Sequence, residues 1–186
     1  GNNLGEPITL VGAIKTVDAN TVNLAIEHGL KVVAENKVQE FREKAPLIKG
    51  AEHQFIGHLQ TNKVKYLVGN VSLIQSVDSI HLAEEIDSRA KKVGTIQEIL
   101  LEVNVGGELS KSGFNPQNVK ERAKDVAKLE NIKCVGLMAM MPKSNDEQFL
   151  ASLCNQMRTI YDELKTEGFE FKYLSMGMSA DYKIAI

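Results

Sequence analysis

The chain has 186 residues, of which 43% are hydrophobic and 25% are charged, and its formal net charge at pH 7 is −2. This length and composition are typical of one globular domain with a substantial core, and they argue against a disordered chain. The small charge, with basic residues scattered among acidic ones, argues against nucleic acid as a ligand. No apolar stretch approaches the roughly 20 residues that cross a bilayer, and the first residues lack a signal pattern, so we expect no membrane partner and a cytoplasmic location.

Short apolar runs alternate with helical patterns from one end of the chain to the other. A first helix is predicted after a cap at Asp18 or Asn20, with Val22 on its apolar face, and it ends at Gly29. The apolar runs predict strands at residues 9–14, 31–34, 54–56, 72–76, 99–104, 133–138 and 171–175. Apolar residues three and four apart predict further helices at residues 38–44, 62–67, 80–92, 116–129 and 146–167.

This alternation predicts an α/β fold in which helices cover a sheet of parallel strands. Seven strands suit a (β/α)8 TIM-type barrel better than an open sheet of five or six strands, which is the alternative. Such a barrel usually needs about 250 residues. We therefore expect residues 1–186 to be a single domain that is incomplete at both ends. The last strand is expected beyond Ile186, since an open barrel leaves backbone groups unpaired.

Lys15 ends the first apolar run, Ile8-Thr9-Leu10-Val11-Gly12-Ala13-Ile14-Lys15. A lysine at the carboxyl end of a buried strand can lose enough hydration to become a neutral amine, which attacks carbonyl carbon atoms to form a Schiff base. The alternative is a lysine that only ends the strand and extends into water. Barrel enzymes carry their functional groups at the carboxyl ends of the strands, which favours the reactive amine.

Polar side chains also follow the other predicted strands, at the same rim of the expected barrel. They are Glu35, Asn36, Gly57, His58, Ser76, Asp78, Asn104, Met138, Met140 and the segment from Ser175 to Ser179. Many such residues have simpler roles, because Asp78 or Ser79 can cap one helix and Ser144 or Asn145 another. His58 shows no carboxylate partner in the sequence, so it is not predicted to act as a general base.

The segment Leu174-Ser175-Met176-Gly177-Met178-Ser179-Ala180-Asp181 carries a strand into a helix through small residues. Gly177 permits close approach of the backbone, and Ser179 is expected to cap the helix while its first N–H groups face the rim. Such a helix end binds phosphate. Combined with a reactive lysine at another strand end, it indicates a phosphorylated carbonyl compound. Pyridoxal 5′-phosphate carries both a phosphate and an aldehyde carbonyl.

Five motifs occur in a fixed order along the chain. They are Glu35-Asn36-Lys37-Val38-Gln39-Glu40, Phe55-Ile56-Gly57-His58-Leu59-Gln60-Thr61-Asn62-Lys63, Val103-Asn104-Val105 with Ser110-Lys111-Ser112-Gly113, Gly136-Leu137-Met138-Ala139-Met140, and Leu174-Ser175-Met176-Gly177-Met178-Ser179. Together they resemble the pyridoxal-phosphate homeostasis proteins, whose domain is similar to the amino-terminal barrel of alanine racemase. The resemblance covers nearly the whole chain.

The resemblance implies a (β/α)8-type barrel that holds pyridoxal 5′-phosphate at its mouth as a Schiff base on Lys15. It also implies that the turn from Ser175 to Ser179 holds the phosphate, together with an Arg-containing loop after the eighth strand. The cofactor-binding residues expected on this basis are Lys15, Asn36, Ser175, Gly177, Met178 and Ser179. Asn36 is expected to form a hydrogen bond near the cofactor or, alternatively, to cap a helix. Lys111 is expected to be a solvated loop lysine or a source of positive charge at the rim.

Three functions are consistent with a lysine and a phosphate turn at one rim. The first, which we favour, is a binding protein in intracellular pyridoxal 5′-phosphate homeostasis without dedicated turnover, so no catalytic residue is assigned. The second is an amino-acid racemase-like enzyme, and the third is a barrel enzyme that acts on a sugar phosphate through Lys15. For the first function we expect a monomer whose recipients are apo enzymes that use the cofactor. No metal site is expected, because Cys134 and Cys154 lack metal-ligand spacing.

Overall fold

Strands and helices alternate along the chain in a computed structural model that describes residues 1–2, 4–108 and 111–186. The strands are β1 (Val11–Ala13), β2 (Val32–Glu35), β3 (Glu52–Phe55), β4 (Leu73–Val77), β5 (Gln97–Glu102), β6 (Ile132–Met138) and β7 (Tyr173–Ser175). The α-helices are α1 (Ala19–Glu27), α2 (Val38–Lys44), α3 (Ile80–Val93), α4 (Val119–Val126), α5 (Glu147–Thr166) and α6 (Tyr182–Ala185). Two 3₁₀ helices, Ala45–Leu47 and Thr61–Tyr66, complete the described elements.

The seven strands form one parallel sheet in the order β1-β2-β3-β4-β5-β6-β7, so each strand pairs with its neighbours in sequence. The sheet curls into a half-barrel, and β1 and β7 are its two edges. This confirms the predicted α/β class and all seven predicted strands. Because every strand runs in the same direction, the seven carboxyl ends meet at one rim, where the predicted site residues lie.

The main core lies between the outer face of the sheet and the helices. It includes Phe55, Ile74 and Leu101 from strands, packed with Ile86 of α3 and Met157 of α5, and all five are fully buried. A smaller cluster of Leu73, Leu100, Val135 and Met138 comes from β4, β5 and β6. Strands buried on both faces require nearly continuous apolar runs, which explains why the sequence reveals them clearly. No helix among the described residues combines the length and apolarity needed to cross a membrane.

Two helix predictions differ from the structure. Residues 62–67 were expected to be α-helical, but Thr61–Tyr66 is a 3₁₀ helix, a form common in such short connecting segments. The helix expected at residues 116–129 is limited to Val119–Val126. Its start is delayed because the Asn115 side chain accepts a hydrogen bond from the Gln117 backbone N–H at 2.8 Å, which holds a turn at this point.

The predicted caps of α1 and α3 are confirmed, whereas the predicted cap of α5 is not. Asp18 caps α1 by accepting hydrogen bonds from the Asn20 and Thr21 backbone, and Ser79 caps α3. The expectation that Ser144 or Asn145 caps the longest helix is wrong. Asp146 caps α5, and its carboxylate accepts a hydrogen bond from the Phe149 N–H at 3.0 Å. Ser144 instead accepts a hydrogen bond from the Asp146 N–H. A carboxylate also suits the positive end of the helix dipole, which favours Asp146 at the cap.

Candidate functional site

Lys15 lies just beyond the carboxyl end of β1, within a tight turn of residues 14–17, which we call the lysine turn. The Val17 N–H donates to the Ile14 carbonyl oxygen at 3.1 Å, and Thr16 has a φ of 61°. Ile14 is buried, whereas Lys15 is exposed. The described residues therefore do not dehydrate the Lys15 amine as the sequence suggested, and the amine projects from the rim into solvent.

Glu35 and Asn36 follow β2, the strand next to β1. The Glu35 side chain is only 2% exposed and forms an ion pair with the Nζ atom of Lys44. The Asn36 side chain does not cap α2, because the N-cap residue is Lys37 and no side chain caps this helix. Its Oδ1 atom is buried and accepts no hydrogen bond from the described residues. A buried acceptor without a partner is unusual, and it suits a ligand that carries a donor.

Gly57, after β3, allows the backbone to approach Asn36 closely. A Cβ atom at position 57 would lie 1.9 Å from the Asn36 carbonyl oxygen, so any other residue would force the two loops apart. The Gly57 carbonyl in turn accepts a hydrogen bond from the buried Ser76 hydroxyl at 2.5 Å. The predicted rim residues Asn36, Gly57 and Ser76 thus belong to one connected part of the rim.

Residues 175–181, which begin at the last residue of β7, are the segment that the sequence predicts to hold phosphate, and we call them the phosphate turn. Gly177 has a φ of 91°, and Met178 and Ser179 are exposed. The Ser175 side chain is not free at the rim. Its hydroxyl reaches across the inner face of the half-barrel and donates to the Oε1 atom of Gln75 on β4 at 2.6 Å. This contact extends the polar row on the inner face of the half-barrel, since Gln75 donates to Gln54.

The predicted capping role of Ser179 is wrong. The N-cap of the four-residue α6 is Asp181, which lies two residues later and makes no side-chain cap bond. The Asp181 carboxylate instead accepts a hydrogen bond from the Met178 N–H at 2.5 Å. Asp181 is only 7% exposed, so a buried carboxyl group occupies an N–H group of the phosphate turn. The Asp181 and Tyr182 N–H groups, which a cap at Ser179 would bind, donate instead to the Met178 carbonyl oxygen at 3.0 and 2.9 Å.

A cavity of about 420 Å³ opens near the carboxyl ends of β3 and β5. Its lining residues are His58, Glu102, Val103, Asn104, Lys111, Ser112 and Met140. Glu102 is 8% exposed and accepts a hydrogen bond from the Ser112 hydroxyl at 3.2 Å. Burial raises the pKa of the Glu102 carboxyl, and the nearby Asp78 charge adds to this effect. Glu102 was not predicted as a site residue, because the apolar run places the predicted strand end at Asn104, two residues beyond the observed end.

His58 has a carboxylate partner, contrary to the expectation from the sequence. Its Nδ1 atom lies 3.3 Å from the Oδ2 atom of Asp78. The two residues follow β3 and β4, which are adjacent in the sheet, so the strand order was the signal that could have paired them. Asn104 binds the carbonyl oxygens of Glu108 and Lys111 and thereby holds its own loop. Ser110, which belongs to the same motif as Lys111, lies outside the described residues.

The residues expected to bind the cofactor therefore lie in two groups at opposite edges of the sheet. Lys15 and Asn36 belong to the β1 and β2 end, whereas Ser175, Gly177, Met178 and Ser179 belong to the β7 end. Their chemistry fits pyridoxal phosphate: an exposed amine suits the aldehyde, an unpartnered acceptor suits a ring donor, and a turn with an exposed hydroxyl suits the phosphate. The Asp181 carboxylate must leave the Met178 N–H before that group can contact phosphate.

The sequence and the fold of this chain are similar to those of known proteins. Residues 7–185 match the family model of the alanine racemase N-terminal domain. The structure of PipY from Synechococcus elongatus without pyridoxal phosphate is similar, with a TM-score of 0.90, 29% identity and coverage of 98% of this chain and 88% of PipY. The structure of PipY with the cofactor bound has a TM-score of 0.86, 28% identity and the same coverage. The expected TIM-type barrel of alanine racemase is thereby confirmed as the fold class.

A closer relationship appears in the sequence. The pyridoxal phosphate homeostasis protein of Aquifex aeolicus is 44% identical over 180 residues, which cover 95% of this chain and 79% of that protein. The chain therefore belongs to the pyridoxal phosphate homeostasis proteins, as the five ordered motifs indicated.

Proposed function

We propose that this chain binds pyridoxal 5′-phosphate and takes part in its intracellular homeostasis, with the cofactor held as a Schiff base on Lys15. The observation that carries the proposal is the exposed Lys15 amine at the same rim as the phosphate turn. Membership of the family and the cofactor bound to the similar PipY support it. When the bond forms, the exposed Lys15 amine first gives one proton to the solvent, its nitrogen joins the aldehyde carbon, and the aldehyde oxygen leaves as water with the two protons that remained on the nitrogen.

The remaining contacts are assigned to Asn36 and the phosphate turn. Asn36 offers its unpartnered Oδ1 atom to a donor on the ring. Gly177, Met178 and Ser179 supply the phosphate side, where Gly177 lets the backbone approach and the exposed Ser179 hydroxyl can donate. Ser175 joins them once its hydroxyl leaves Gln75. We propose that residues 1–186 act together as one cofactor-binding barrel domain.

The proposed role is storage and delivery, without dedicated turnover, by a monomer in the cytoplasm that supplies apo enzymes. An exposed lysine supports this role, because the covalent bond to the cofactor is accessible to water and to competing amines. A cofactor that reacts reversibly with accessible amines can be passed on.

One observation favours a second candidate, a racemase-like enzyme. The cavity at the rim contains Glu102, whose pKa is raised by burial, and the His58–Asp78 pair lies beside it. Groups with shifted pKa values at a cavity are candidates for proton transfer. A sensitive racemase assay on the cofactor-loaded protein distinguishes the candidates, since turnover that disappears in Glu102→Gln would favour the enzyme.

The direct test of binding is a titration of apo protein with near-stoichiometric pyridoxal 5′-phosphate, followed by visible absorbance. The unmodified protein and a Lys49→Ala control should develop an imine band, because Lys49 is an exposed lysine away from the rim. Lys15→Ala should develop none while retaining its fold, since a surface amine contributes little to stability. An equal band in Lys15→Ala would refute the assignment of the Schiff base.

A further inference from the structure

The two peptide groups that flank the Lys15 Cα atom are both bound by charged side chains of α2. The Ile14 carbonyl oxygen accepts a hydrogen bond from the Lys44 Nζ atom at 2.7 Å. The Thr16 N–H donates to the Oε2 atom of Glu40 at 3.2 Å. A helix that lies 24 and 30 residues further along the chain thus holds both sides of this lysine.

The Glu40 and Lys44 side chains are themselves held by ion pairs. The Lys44 Nζ atom lies 3.1 Å from the Glu40 carboxylate and also contacts the buried Glu35 carboxylate. Burial alone would lower the pKa of the Lys44 amine, but its bonds to Glu35 and Glu40 outweigh burial and raise the pKa. Lys44 therefore stays charged, and its side chain is only 15% exposed. The three residues form a small network that leaves Lys44 little freedom to move.

The conformation of Thr16 explains why the lysine turn needs the contacts of Glu40 and Lys44. Its φ of 61° makes it the one non-glycine residue with positive φ among residues 1–2, 4–108 and 111–186. It occupies the third position of the turn, where a positive φ is normally supplied by glycine or asparagine. A β-branched residue resists this conformation, so the surrounding structure must impose it. The Lys44 bond to the Ile14 carbonyl oxygen holds one side of the turn, and the Glu40 bond acts on the Thr16 N–H itself.

We propose that Glu40 and Lys44 are positioning residues that orient Lys15 toward its carbonyl ligand through the backbone of the lysine turn. The inference rests on the proposed function, because it assigns a role to α2 in the reaction of the Lys15 amine. Neither side chain contacts the cofactor in this account. By holding the backbone on both sides of Lys15, they limit the directions in which its side chain can extend. This favours attack of the amine on the carbonyl carbon in one geometry.

Glu40→Gln is the sharpest test, because it removes one of the two charges that hold Lys44 and weakens the acceptor of the Thr16 N–H. The matched control is Glu43→Gln on the same helix. Glu43 is exposed and accepts a hydrogen bond only from Gln39 among the described residues, so the control removes the same charge without touching the lysine turn. Adding Thr16→Gly to Glu40→Gln provides a rescue, since glycine adopts a positive φ without help.

The rate of imine formation with pyridoxal 5′-phosphate should fall about tenfold in Glu40→Gln, remain unchanged in Glu43→Gln, and recover in part in the double variant. Binding of pyridoxine 5′-phosphate, which lacks the aldehyde, should be equal in all of them, because only the orientation of Lys15 changes. Hydrogen exchange of the Thr16 amide, measured without ligand, should be faster in Glu40→Gln than in Glu43→Gln.

The possible outcomes separate this inference from the proposed function. An unmodified protein that forms no imine on Lys15 overturns both. Imine formation at equal rates in Glu40→Gln and Glu43→Gln overturns the positioning role and leaves the proposed function intact. A parallel loss of pyridoxine 5′-phosphate binding in Glu40→Gln would also overturn it, because the glutamate would then act on the binding site as a whole. Slower imine formation with unchanged analogue binding and partial rescue by glycine supports it.

Discussion

The lysine turn and the phosphate turn lie at opposite edges of the same sheet, yet their local structures are organised in opposite ways. In the lysine turn, the backbone is bound by side chains of a separate helix, and the functional amine is left exposed. In the phosphate turn, the Asp181 carboxylate of the same segment occupies the Met178 N–H. The first turn leaves its amine exposed, whereas the second binds its own N–H donor. On the proposed function, the cofactor would meet an amine on a held backbone turn at one edge and would displace the Asp181 carboxyl group at the other.

The largest effect expected from this contrast concerns the stability of the network that holds the lysine turn. Lys44→Met should lower the free energy of unfolding by about 3 kcal/mol, because it leaves the buried Glu35 carboxylate without its partner. Denaturant unfolding measures this change. Lys37→Met is the control, since the Lys37 side chain is 76% exposed and its ion pair should contribute less than about 1 kcal/mol. Equal stabilities for the two variants would show that the network does not constrain this edge.

A smaller effect is expected at the phosphate turn. Asp181→Asn should tighten binding of pyridoxal 5′-phosphate by about tenfold, or about 1.4 kcal/mol, because it removes a buried negative charge while keeping an acceptor for the Met178 N–H. Ser179→Glu should act in the opposite direction through repulsion of the phosphate. Fluorescence titration of apo protein measures both. Glu130→Gln, which removes an exposed charge elsewhere, should change nothing. Weaker binding by Asp181→Asn would show that the carboxylate supports the turn without competing with the ligand.

The smallest effect expected is a pH-dependent one at the rim cavity between the two turns. Burial, with the Asp78 charge, raises the pKa of Glu102 above its ordinary 4.5. The folded state therefore binds more protons than the unfolded state, and this group makes stability fall as pH rises through the interval above 4.5. Glu102→Gln should be most stabilising above that interval and neutral below it. Unfolding curves at several pH values check this, provided that His58 and Asp78 are unchanged, and a constant difference across the range would contradict it.

Much of the fold was predictable because its signals are local. Continuous apolar runs revealed all seven strands, and α2 was predicted with its observed bounds, Val38–Lys44. Two helix predictions were wrong for local reasons that the apolar pattern does not reveal. The turn held by Asn115 shortens α4, and the short Thr61–Tyr66 segment forms a 3₁₀ helix.

The site was less predictable because its contacts join distant parts of the chain. Lys15 and the phosphate turn were predicted from residue type and position. The contacts of Glu40 and Lys44 with the lysine turn were not predicted, because both residues lie on a helix whose polar residues are typical of an ordinary solvated face. The His58–Asp78 pair was missed because it depends on which strands are neighbours. Asp181 was missed because a carboxylate inside a predicted phosphate turn runs against the expected charge.

The central claim is that Lys15 is the residue that holds the cofactor, and borohydride reduction followed by peptide mapping tests it most directly. With near-stoichiometric pyridoxal 5′-phosphate, the added mass should lie on the peptide that contains Ile14-Lys15-Thr16, and Lys15→Ala should show no equivalent adduct. Excess aldehyde must be avoided, since exposed lysines form slow adventitious imines. An adduct located mainly on Lys111 or another lysine, with little on Lys15, would contradict the account.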